Sequence, residues 1–295
     1  MWGTADDLSG WGGPLLGAGA GFVLAAVARW IHRTHWGFLP EDAPTRGRKL
    51  HGEATPMVGF LLAAAATVIL LAGRERALAA AVALLAGMGY VDDRDKQRGG
   101  LPWKAKALVQ LAAAATVVAA TAPRADLVVW LVLLALVFVV VNAVNFLDNM
   151  DGVAALVGGL GVVLAAPTGS SLCVAAATFL GFLPLNWPRP WLFLGDSGAY
   201  AVGALLAAAS LRTGLQDGRV QWLALAAPCF VPLFDFVQVV SARLYLGYAP
   251  WVGDRRHITH IATYLGVPPS LVAPICGVVA AGAWFLLRGE ASSSR

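Results

Sequence analysis

A run of amide and carboxylate side chains, spaced three residues apart, ends a long apolar segment near the middle of the chain. It comprises Asn142, Asn145, Asp148 and Asp151 and is followed by Gly152. On an α-helix, a spacing of three keeps successive side chains near one face. Polar and charged groups are costly in or beside lipid, so they are expected to have a function there. The spacing predicts that one face of one membrane helix brings four polar groups to a single place.

A pair of aspartates, Asp92 and Asp93, ends another apolar run. Adjacent aspartates at a helix end are commonly only a solvated terminus, and that interpretation stays open. The helix dipole, however, disfavours anions at a C-terminus. A divalent cation, or the nearby Lys104 and Lys106, would compensate for the two charges. The pair is therefore a candidate part of a cation or phosphate site.

Two later segments also carry charged or titratable groups. Asp196 stands in a Gly-Asp-Ser-Gly turn directly before an apolar run, where it could cap a helix or bind a ligand. His257 and His260 are three residues apart and could share a helix face next to Arg256. An exposed histidine pair without a function is the alternative. Each segment is ambiguous alone, but together they indicate a composite site.

Oxygen ligands and cations in the same loops indicate a hard metal ion that handles phosphate. The three cysteines, Cys173, Cys229 and Cys276, lie in apolar segments and form no metal-binding spacing. Mg²⁺, with Mn²⁺ as a possibility, is therefore expected rather than Zn²⁺. Phosphoryl transfer depends mainly on positioning and charge neutralisation. These residues predict a site for a diphosphate.

The composition shows which elements must position these groups. Hydrophobic residues make up 58% of the 295 residues, charged residues 13%, and the mean hydropathy is +0.70. A membrane-spanning helix needs about 20 mostly apolar residues. The apolar runs predict an all-α, polytopic membrane bundle of about ten helices, centred on residues 13–31, 56–73, 77–91, 105–122, 126–145, 153–167, 171–186, 197–212, 220–243 and 270–288.

Basic residues predict the orientation of this bundle. Fourteen of the 21 lysines and arginines, and all five histidines, fall in or beside the loops at 32–55, 92–104, 146–152, 187–196 and 244–269. The positive-inside rule places these loops in the cytoplasm, so both termini are expected outside it. All the candidate chemistry then lies on the cytoplasmic face. The chain reads as a single domain, residues 1–295, with a loose tail at 291–295.

In its order of motifs, the chain resembles the polyprenyl-phosphate N-acetylhexosamine-1-phosphate transferase superfamily, which includes MraY-type and WecA-type enzymes. The resemblance covers about residues 42–266. The motifs that carry it are Asp42-Ala-Pro44-Thr-Arg46-Gly-Arg48-Lys49-Leu-His51, Thr55-Pro56 with Gly59, Asp92-Asp93, Leu101 with Lys106, Leu108 and Gln110, the segment from Asn142 to Gly152, Asn186 through Gly198, Pro232 to Asp235 with Arg243, and Asp254 to His260.

The resemblance implies transfer of a sugar-1-phosphate from a UDP-sugar to a polyprenyl phosphate, with release of UMP. It implies a multi-pass protein of the bacterial inner membrane, a possible homodimer, and no nucleic-acid partner. The Asp42–His51 segment and the Asp254–His257 loop are more similar to the WecA-type branch, which implies UDP-GlcNAc as donor. The implied acceptor is a polyprenyl phosphate, such as undecaprenyl phosphate, and the motifs do not indicate its chain length. The alternatives are an MraY-type transferase for UDP-MurNAc-pentapeptide, a non-catalytic membrane scaffold, and a transporter.

The resemblance also implies residue roles. Asp196, with Asp93, would bind Mg²⁺, and Asp92 would deprotonate or orient the polyprenyl phosphate for direct attack; a route through an aspartyl-phosphate is the alternative. Lys106, His257 and His260 would neutralise the diphosphate, and Phe193 would stack on uracil. The remaining substrate-binding residues would be Lys49, His51, Asn142, Asn145, Asp148, Asp151, Asn186, Arg255 and Arg256.

Three positions depart from the motifs of the superfamily. Thr259 stands where a histidine is usual in a His-Ile-His-His sequence, and Asn149 replaces the glycine that commonly follows Asp148. Phe60 stands where a second glycine is frequent. Asparagine tolerates turn conformations better than most residues, so little effect is expected at position 149.

Overall fold

A computed structural model of the protein describes residues 10–34, 39–42, 54–216 and 219–293. Apolar runs of the sequence form the helices, because a helix satisfies its own backbone hydrogen bonds in lipid. Within the described residues these helices are α1 (Gly12–Arg33), α2 (Gly59–Ala72), α3 (Arg76–Asp95), α4 (Trp103–Thr121), α5 (Leu127–Leu147), α6 (Val153–Ala165), α7 (Ser171–Asn186), α8 (Gly195–Gly214), α9 (Trp222–Ala226), α10 (Phe230–Tyr245), α11 (Ile258–Tyr264) and α12 (Pro269–Ser293).

Short segments of other structure connect the helices. Strand β1 (Glu41–Asp42) pairs antiparallel with β2 (Thr55–Pro56), and β3 (Leu215–Gln216) pairs antiparallel with β4 (Arg219–Val220). A turn of 3₁₀-helix, Lys96–Arg98, follows α3, and a second one, Ala227–Cys229, joins α9 to α10. The prediction of an all-α membrane protein is confirmed.

Nine of the ten predicted spans each coincide with one helix of the described residues, and the span at 220–243 covers α9, the 3₁₀ turn and α10. These helices differ in how well they could cross a bilayer. Among the described residues, five helical segments are both long and apolar enough: α1, α4, α5, α9 continued through α10, and α12. Helices α2, α6 and α7 are apolar but shorter. Ten crossings and the location of both termini stay predictions. At the C-terminal end of the chain, α12 continues through Ser293.

Helix α8 occupies the centre of the bundle. Its side chains are buried along nearly the whole length, with Asp196 and Arg212 as the more accessible positions. It packs against α2, α3, α4, α5 and α6. Alanine and glycine allow this close approach, since a Cβ atom at Gly203 would lie 2.9 Å from Cα of Val141 in α5. Helix α8, which carries Asp196 in its first turn, is therefore held in place by several neighbouring helices.

The prediction that one helix face carries all four polar residues from Asn142 to Asp151 is wrong. Helix α5 ends at Leu147, and Asp148 is its C-cap residue, with φ −76° and ψ 45°. Asp151 lies in the turn that leads to α6, where Gly152 adopts a positive φ of 77°. The helix stops because the polar residues and the glycine favour a turn at the end of the apolar run.

Candidate active site

Asp92, in the last turns of α3, is buried, and each oxygen of its carboxylate accepts a hydrogen bond. Its Oδ1 accepts a hydrogen bond from the backbone N–H of Leu101 at 2.6 Å. Its Oδ2 accepts one from Nζ of Lys106 at 2.7 Å, which is also an ion pair. Since Lys106 lies in the first turn of α4, this contact joins the facing ends of α3 and α4. The predicted compensation of the aspartate charge by Lys106 is confirmed in geometry.

Asp93 caps the N-terminus of α8 from a different helix. Its Oδ1 accepts the backbone N–H of Asp196 at 3.0 Å, and its Oδ2 accepts the backbone N–H and the hydroxyl of Ser197 at 3.2 and 2.9 Å. Exposed N–H groups at a helix start attract anions. Asp93, rather than a residue of the turn before α8, therefore accepts the hydrogen bonds of the first N–H groups of this helix. This arrangement also fixes the backbone of Asp196.

Asp196 lies where α3, α5 and α8 meet. Its carboxyl group is in hydrogen-bonding contact with the side chains of Asp92 and Asn145. Nζ of Lys96 is 3.6 Å from its Oδ1 and 3.9 Å from Oδ1 of Asp93. The structure thus brings together the predicted residues Asp92, Asp93, Asn145, Asp196 and Lys106, with Lys96 in addition.

Lys96 was not predicted from the sequence as a site residue. It lies in the 3₁₀ turn after α3, three residues beyond Asp93. The Asp196 carboxylate raises the pKa of the Lys96 ammonium above its ordinary value, so the group stays protonated at neutral pH. Its spacing from Asp93 was the available signal, since residues three apart on a helix are neighbours.

Asp148 adds a further carboxyl group to the cluster. Burial, and then the negative charge of Asp196, raise its pKa to about 8. Asp93 and Asp151 act in the same direction, whereas Lys96 opposes them. Several carboxyl groups therefore compete for the positive charge that two lysines supply, which is an environment that favours binding of a cation.

A buried polar network supports the cluster from α4, α5 and α8. Tyr200 and Gln110 are each 3% exposed, and their side chains are hydrogen-bonded to one another. The Asn142 amide donates to Oε1 of Gln110 at 3.0 Å and to the carbonyl of Phe138 at 2.8 Å. Asn142, predicted to bind substrate, therefore uses its Nδ2 to position the helices, and Gln110 and Tyr200 are supporting residues that were not among the predicted site residues.

Asn186, also predicted to bind substrate, connects two turns. Its Oδ1 accepts from the N–H of Gly152 at 2.7 Å, and its Nδ2 donates to the carbonyl of Leu192 at 2.9 Å. Phe193 follows at once; its N–H donates to the carbonyl of Pro56, and its own carbonyl accepts from the N–H of Val58. Asn186 therefore orders the segment that carries Phe193, whose ring is half-buried.

The predicted histidine loop contains a buried network of its own. His257 is 5% exposed, and its Nδ1 lies 2.7 Å from Oδ2 of the fully buried Asp235. Its Nε2 is 3.4 Å from Nη2 of Arg243, another buried residue. Both ring nitrogens of His257 thus face protein groups. Its predicted role at the diphosphate stays a prediction, and the observed contacts are those of a residue that fixes the loop.

Asp254 anchors the same loop. Partial burial opposes its ionisation, but hydrogen bonds from Arg243 and Arg256 outweigh burial and lower its pKa to about 2. Beyond it, His260 is half-buried. Burial, and then the charges of His257 and Arg255, lower the pKa of His260, so its imidazole is neutral at pH 7.

Two of the departures from the family motifs contact one another. The hydroxyl of Thr259, a residue with no exposed surface, donates to Oδ1 of Asn149 in the turn after α5. The Asn149 amide in turn donates to the carbonyl of Phe146 at 2.7 Å. The hydrogen bond joins positions 110 residues apart. It ties the last loop to the turn that carries Asp148 and Asp151.

The predicted substrate-binding residues Lys49 and His51 lie outside the described residues. Arg255 is exposed, and Arg256 is half-buried against the ring of Tyr248. The last loop and the carboxylate cluster are thus adjacent along α5 and its following turn, through Asn149 and Phe146.

The donor groups of the cluster fit Mg²⁺. Mg²⁺ prefers carboxylate oxygens, and it is commonly held by one or two carboxylates together with water and substrate phosphates. Asp92 and Asp196 supply two carboxyl groups in contact, with Asp148 nearby. In the described part of the chain, no group of three or more His, Cys, Asp or Glu side chains encloses a metal position. Two carboxyl groups in contact match the one or two carboxylates that commonly hold Mg²⁺.

Comparisons with known proteins agree with these features. Residues 76–214 match glycosyl transferase family 4. The chain is 30% identical over 252 residues to the decaprenyl-phosphate N-acetylglucosaminephosphotransferase of Mycobacterium leprae, covering 70% of this chain and 60% of that protein. The protein of the same name from Mycobacterium tuberculosis is 30% identical over 273 residues, covering 76% of this chain and 64% of that protein.

A relative with another name is similar to a comparable degree. The phospho-N-acetylmuramoyl-pentapeptide-transferase of Synechococcus elongatus is 32% identical over 244 residues, which cover 67% of this chain and 65% of that protein. The chain thus spans less than two thirds of the length of each of these relatives. The match to glycosyl transferase family 4 and the similarity to these relatives confirm the predicted resemblance to the polyprenyl-phosphate N-acetylhexosamine-1-phosphate transferase superfamily.

Proposed function

We propose that this protein transfers GlcNAc-1-phosphate from UDP-GlcNAc to a polyprenyl phosphate such as undecaprenyl phosphate. The observation that carries the proposal is the cluster of Asp92, Asp93 and Asp196 with Lys96 and Lys106. It lies where α3 ends and α8 begins, at one end of the bundle. A lipid phosphate and a soluble nucleotide could meet at such a place. Two relatives carry names that specify a polyprenyl phosphate and N-acetylglucosamine.

In the proposed reaction, an oxygen of the polyprenyl phosphate attacks the β-phosphorus of the UDP-sugar. The bond between the β-phosphorus and the bridging oxygen breaks, and UMP leaves with that oxygen. A new diphosphate links the lipid to the sugar. Lys106 and Lys96 would neutralise phosphate charge, while Asp92 would deprotonate or orient the attacking phosphate. Asp93 would hold Asp196 in place through the start of α8.

Mg²⁺ would be held by Asp196 with the adjoining carboxyl groups. When bound, it would polarise the phosphoryl oxygens and neutralise the charge on the diphosphate. Mn²⁺ offers the same ligand preference. Asn145, in contact with Asp196, would keep the carboxylate oriented. Asp148 and Asp151 would contact ribose, base or phosphate, and Phe193 would stack on the base. We further propose that the protein lies in a bacterial inner membrane as a homodimer.

A second candidate donor is UDP-MurNAc-pentapeptide. The similarity to a phospho-N-acetylmuramoyl-pentapeptide-transferase favours it. The two donors share the UDP-sugar diphosphate, so the carboxylate cluster serves either one. A transporter is disfavoured because its polar groups belong near the bilayer midplane. Here the carboxylates lie at helix termini.

The experiment that tests the proposal measures UMP release by purified protein in detergent with Mg²⁺. Release from UDP-GlcNAc that depends on undecaprenyl or decaprenyl phosphate would support the reaction and the donor. Release with UDP-MurNAc-pentapeptide alone would retain the reaction and change the donor. Lack of release with any UDP-sugar, in protein that remains folded, would contradict the proposal and favour a scaffold. Omission of the lipid and addition of a chelator are the controls.

A further inference from the structure

A pocket of about 420 Å³ lies at the C-terminal end of α1, apart from the carboxylate cluster. The residues that matter for its chemistry come from α1, from β2 and from the segment between α7 and α8. They are Arg29, His32, Arg33, Thr55, Pro190 and Trp191. We propose that this pocket binds a phosphate-bearing anion, supplied by the headgroup of an anionic phospholipid.

The charge of the pocket supports an anionic ligand. Arg29 and Arg33 are four residues apart on α1, so their side chains lie on one face and repel each other. Glu41 contributes one carboxylate, 3.7 Å from Nε2 of His32. The described lining and Glu41 together carry a net positive charge. An anion between the two guanidinium groups would relieve their repulsion, and arginine suits phosphate because it can donate two parallel hydrogen bonds.

A buried polar atom provides an independent indication. Nδ1 of His32 is buried and forms no hydrogen bond within the described residues. Buried polar atoms are usually paired, and leaving one unpaired destabilises the protein. A phosphate oxygen or hydroxyl in the pocket would supply the absent partner. The geometry therefore indicates a polar ligand rather than a hydrocarbon chain.

The location of the pocket favours a lipid as the source of the phosphate. Helix α1 is long and apolar enough to cross a membrane. Arg29, His32 and Arg33 lie in its last turns. Trp30 and Trp191 are 67% and 51% exposed. Tryptophan is enriched where lipid headgroups meet water. Basic pockets beside membrane helices are known to bind anionic headgroups.

One wall of the pocket also leads to the carboxylate cluster. Arg29 lies 3.7 Å above the ring of Trp191, in a cation–π contact. Two residues later, the Phe193 N–H donates to the carbonyl of Pro56 at 2.9 Å, and the chain then enters α8 at Gly195. A bound headgroup would therefore stabilise the segment that carries Phe193. Binding of a headgroup in this pocket would be a separate property from the proposed transfer reaction.

The test is native mass spectrometry of the purified full chain in detergent, with added phosphatidylglycerol. The double variant Arg29→Gln/Arg33→Gln should bind this lipid about 30-fold more weakly, since each arginine contributes about 1 kcal/mol. Arg33→Gln alone, an exposed residue outside the cation–π contact, should weaken binding about fivefold. The matched control is Arg94→Gln/Arg98→Gln, which removes two exposed arginines near the end of α3 and should leave binding unchanged.

Three results would overturn the proposal. Equal retention of phosphatidylglycerol by the wild type and both pocket variants would remove the site. If the wild type retained zwitterionic phosphatidylcholine as well as it retains phosphatidylglycerol, the negative charge of the headgroup would not be recognised. A third arm adds inorganic phosphate without lipid. If that phosphate binds with the same dependence on arginine, the ligand is a soluble phosphate and the lipid assignment is wrong.

Discussion

At the residue scale, Asp93 and Asp196 show how one carboxylate can orient another. Asp93 accepts two backbone N–H groups and one hydroxyl at the start of α8. Its oxygens thereby satisfy the helix start, a task that a cap residue in the same segment usually performs. Asp196 is consequently free of that task and turns towards Asp92 and Asn145. The two neighbouring positions therefore have different functions despite identical chemistry.

We predict that Asp196→Asn lowers the rate of lipid-dependent UMP release by about a hundredfold or more. Loss of one group that stabilises transition-state charge typically has an effect of this size. The matched control is Asp126→Asn, because Asp126 caps α5 at a distant, exposed position. It should retain wild-type turnover. A near-normal rate for Asp196→Asn, in protein with an unchanged thermal transition, would exclude Asp196 as a catalytic group.

We also predict a pH-dependent contribution of Asp254 to stability. Its folded pKa of about 2 lies below its ordinary value, so the native protein binds fewer protons than the unfolded chain between these values. The stabilisation is complete above about pH 4 and is lost as pH falls towards about 2. The midpoint of thermal unfolding for Asp254→Asn should therefore approach that of the wild type on acidification. A constant difference over this range would contradict the prediction. So would the same behaviour for Asp95→Asn, because the Asp95 carboxylate is partly exposed and lies 3.8 Å from Nη1 of Arg98.

At the element scale, glycines set how closely helices approach. A Cβ atom at Gly181 of α7 would lie 1.8 Å from the carbonyl oxygen of Ala18 in α1, and one at Gly21 would meet the carbonyl of Thr178 at 1.9 Å. Small residues at such crossings are a common means of packing helices in lipid, where the hydrophobic effect between helices is weak. Helices α1 and α7 can therefore pack this closely only because Gly21 and Gly181 have no side chain.

Gly181→Ala should accordingly destabilise the protein by about 1–3 kcal/mol, since backbone atoms cannot move aside as a flexible side chain can. The control is Gly19→Ala on α1, where nothing lies within 4 Å of the added Cβ. That variant should be neutral or slightly stabilised. Thermal unfolding in detergent, followed by circular dichroism, measures both. Equal midpoints for the two variants would show that α1 and α7 separate readily.

The positions of the elements could largely be predicted from the sequence, because apolar runs mark helices directly. Nine of the ten predicted spans each coincide with one helix. The prediction for residues 220–243 missed the 3₁₀ turn at Ala227–Cys229, since an apolar run does not distinguish a continuous helix from one interrupted near Pro228. The prediction for Asn142 to Asp151 likewise extended the polar face of α5 beyond Leu147. There the preference of the local sequence for a turn overrides the spacing of three.

The candidate site was predictable only in part. Asp92, Asp93, Lys106 and Asp196 stand out because charges at the ends of apolar runs are unusual. Tyr200 was not a predicted site residue because a lone tyrosine in an apolar helix resembles an ordinary core residue. The contacts of His257 with Asp235 and Arg243 depend on tertiary packing, which the spacing of residues does not reveal.

At the scale of the whole molecule, the ends of α3 and α5 and the start of α8 define one polar surface. The loop between α4 and α5, which contains Arg124, lies at the opposite end of α4. If the polar surface faces the cytoplasm, Arg98→Cys should react with a membrane-impermeant thiol reagent after permeabilisation only, and Arg124→Cys should react in intact cells. The three native cysteines are buried and should give little background. Reversed accessibility would invert the proposed orientation.

The central position of α8 has a consequence for how the protein is made. Its surface is covered by neighbouring helices, and within the described ranges it is not among the five helical segments that are long and apolar enough to cross a membrane. Because α2 to α6 precede it in the chain, most of its partners are synthesised first. We expect α8 to leave the insertion machinery by docking against these helices rather than by partitioning into lipid. The carboxylate cluster would then form only at that late stage of biogenesis.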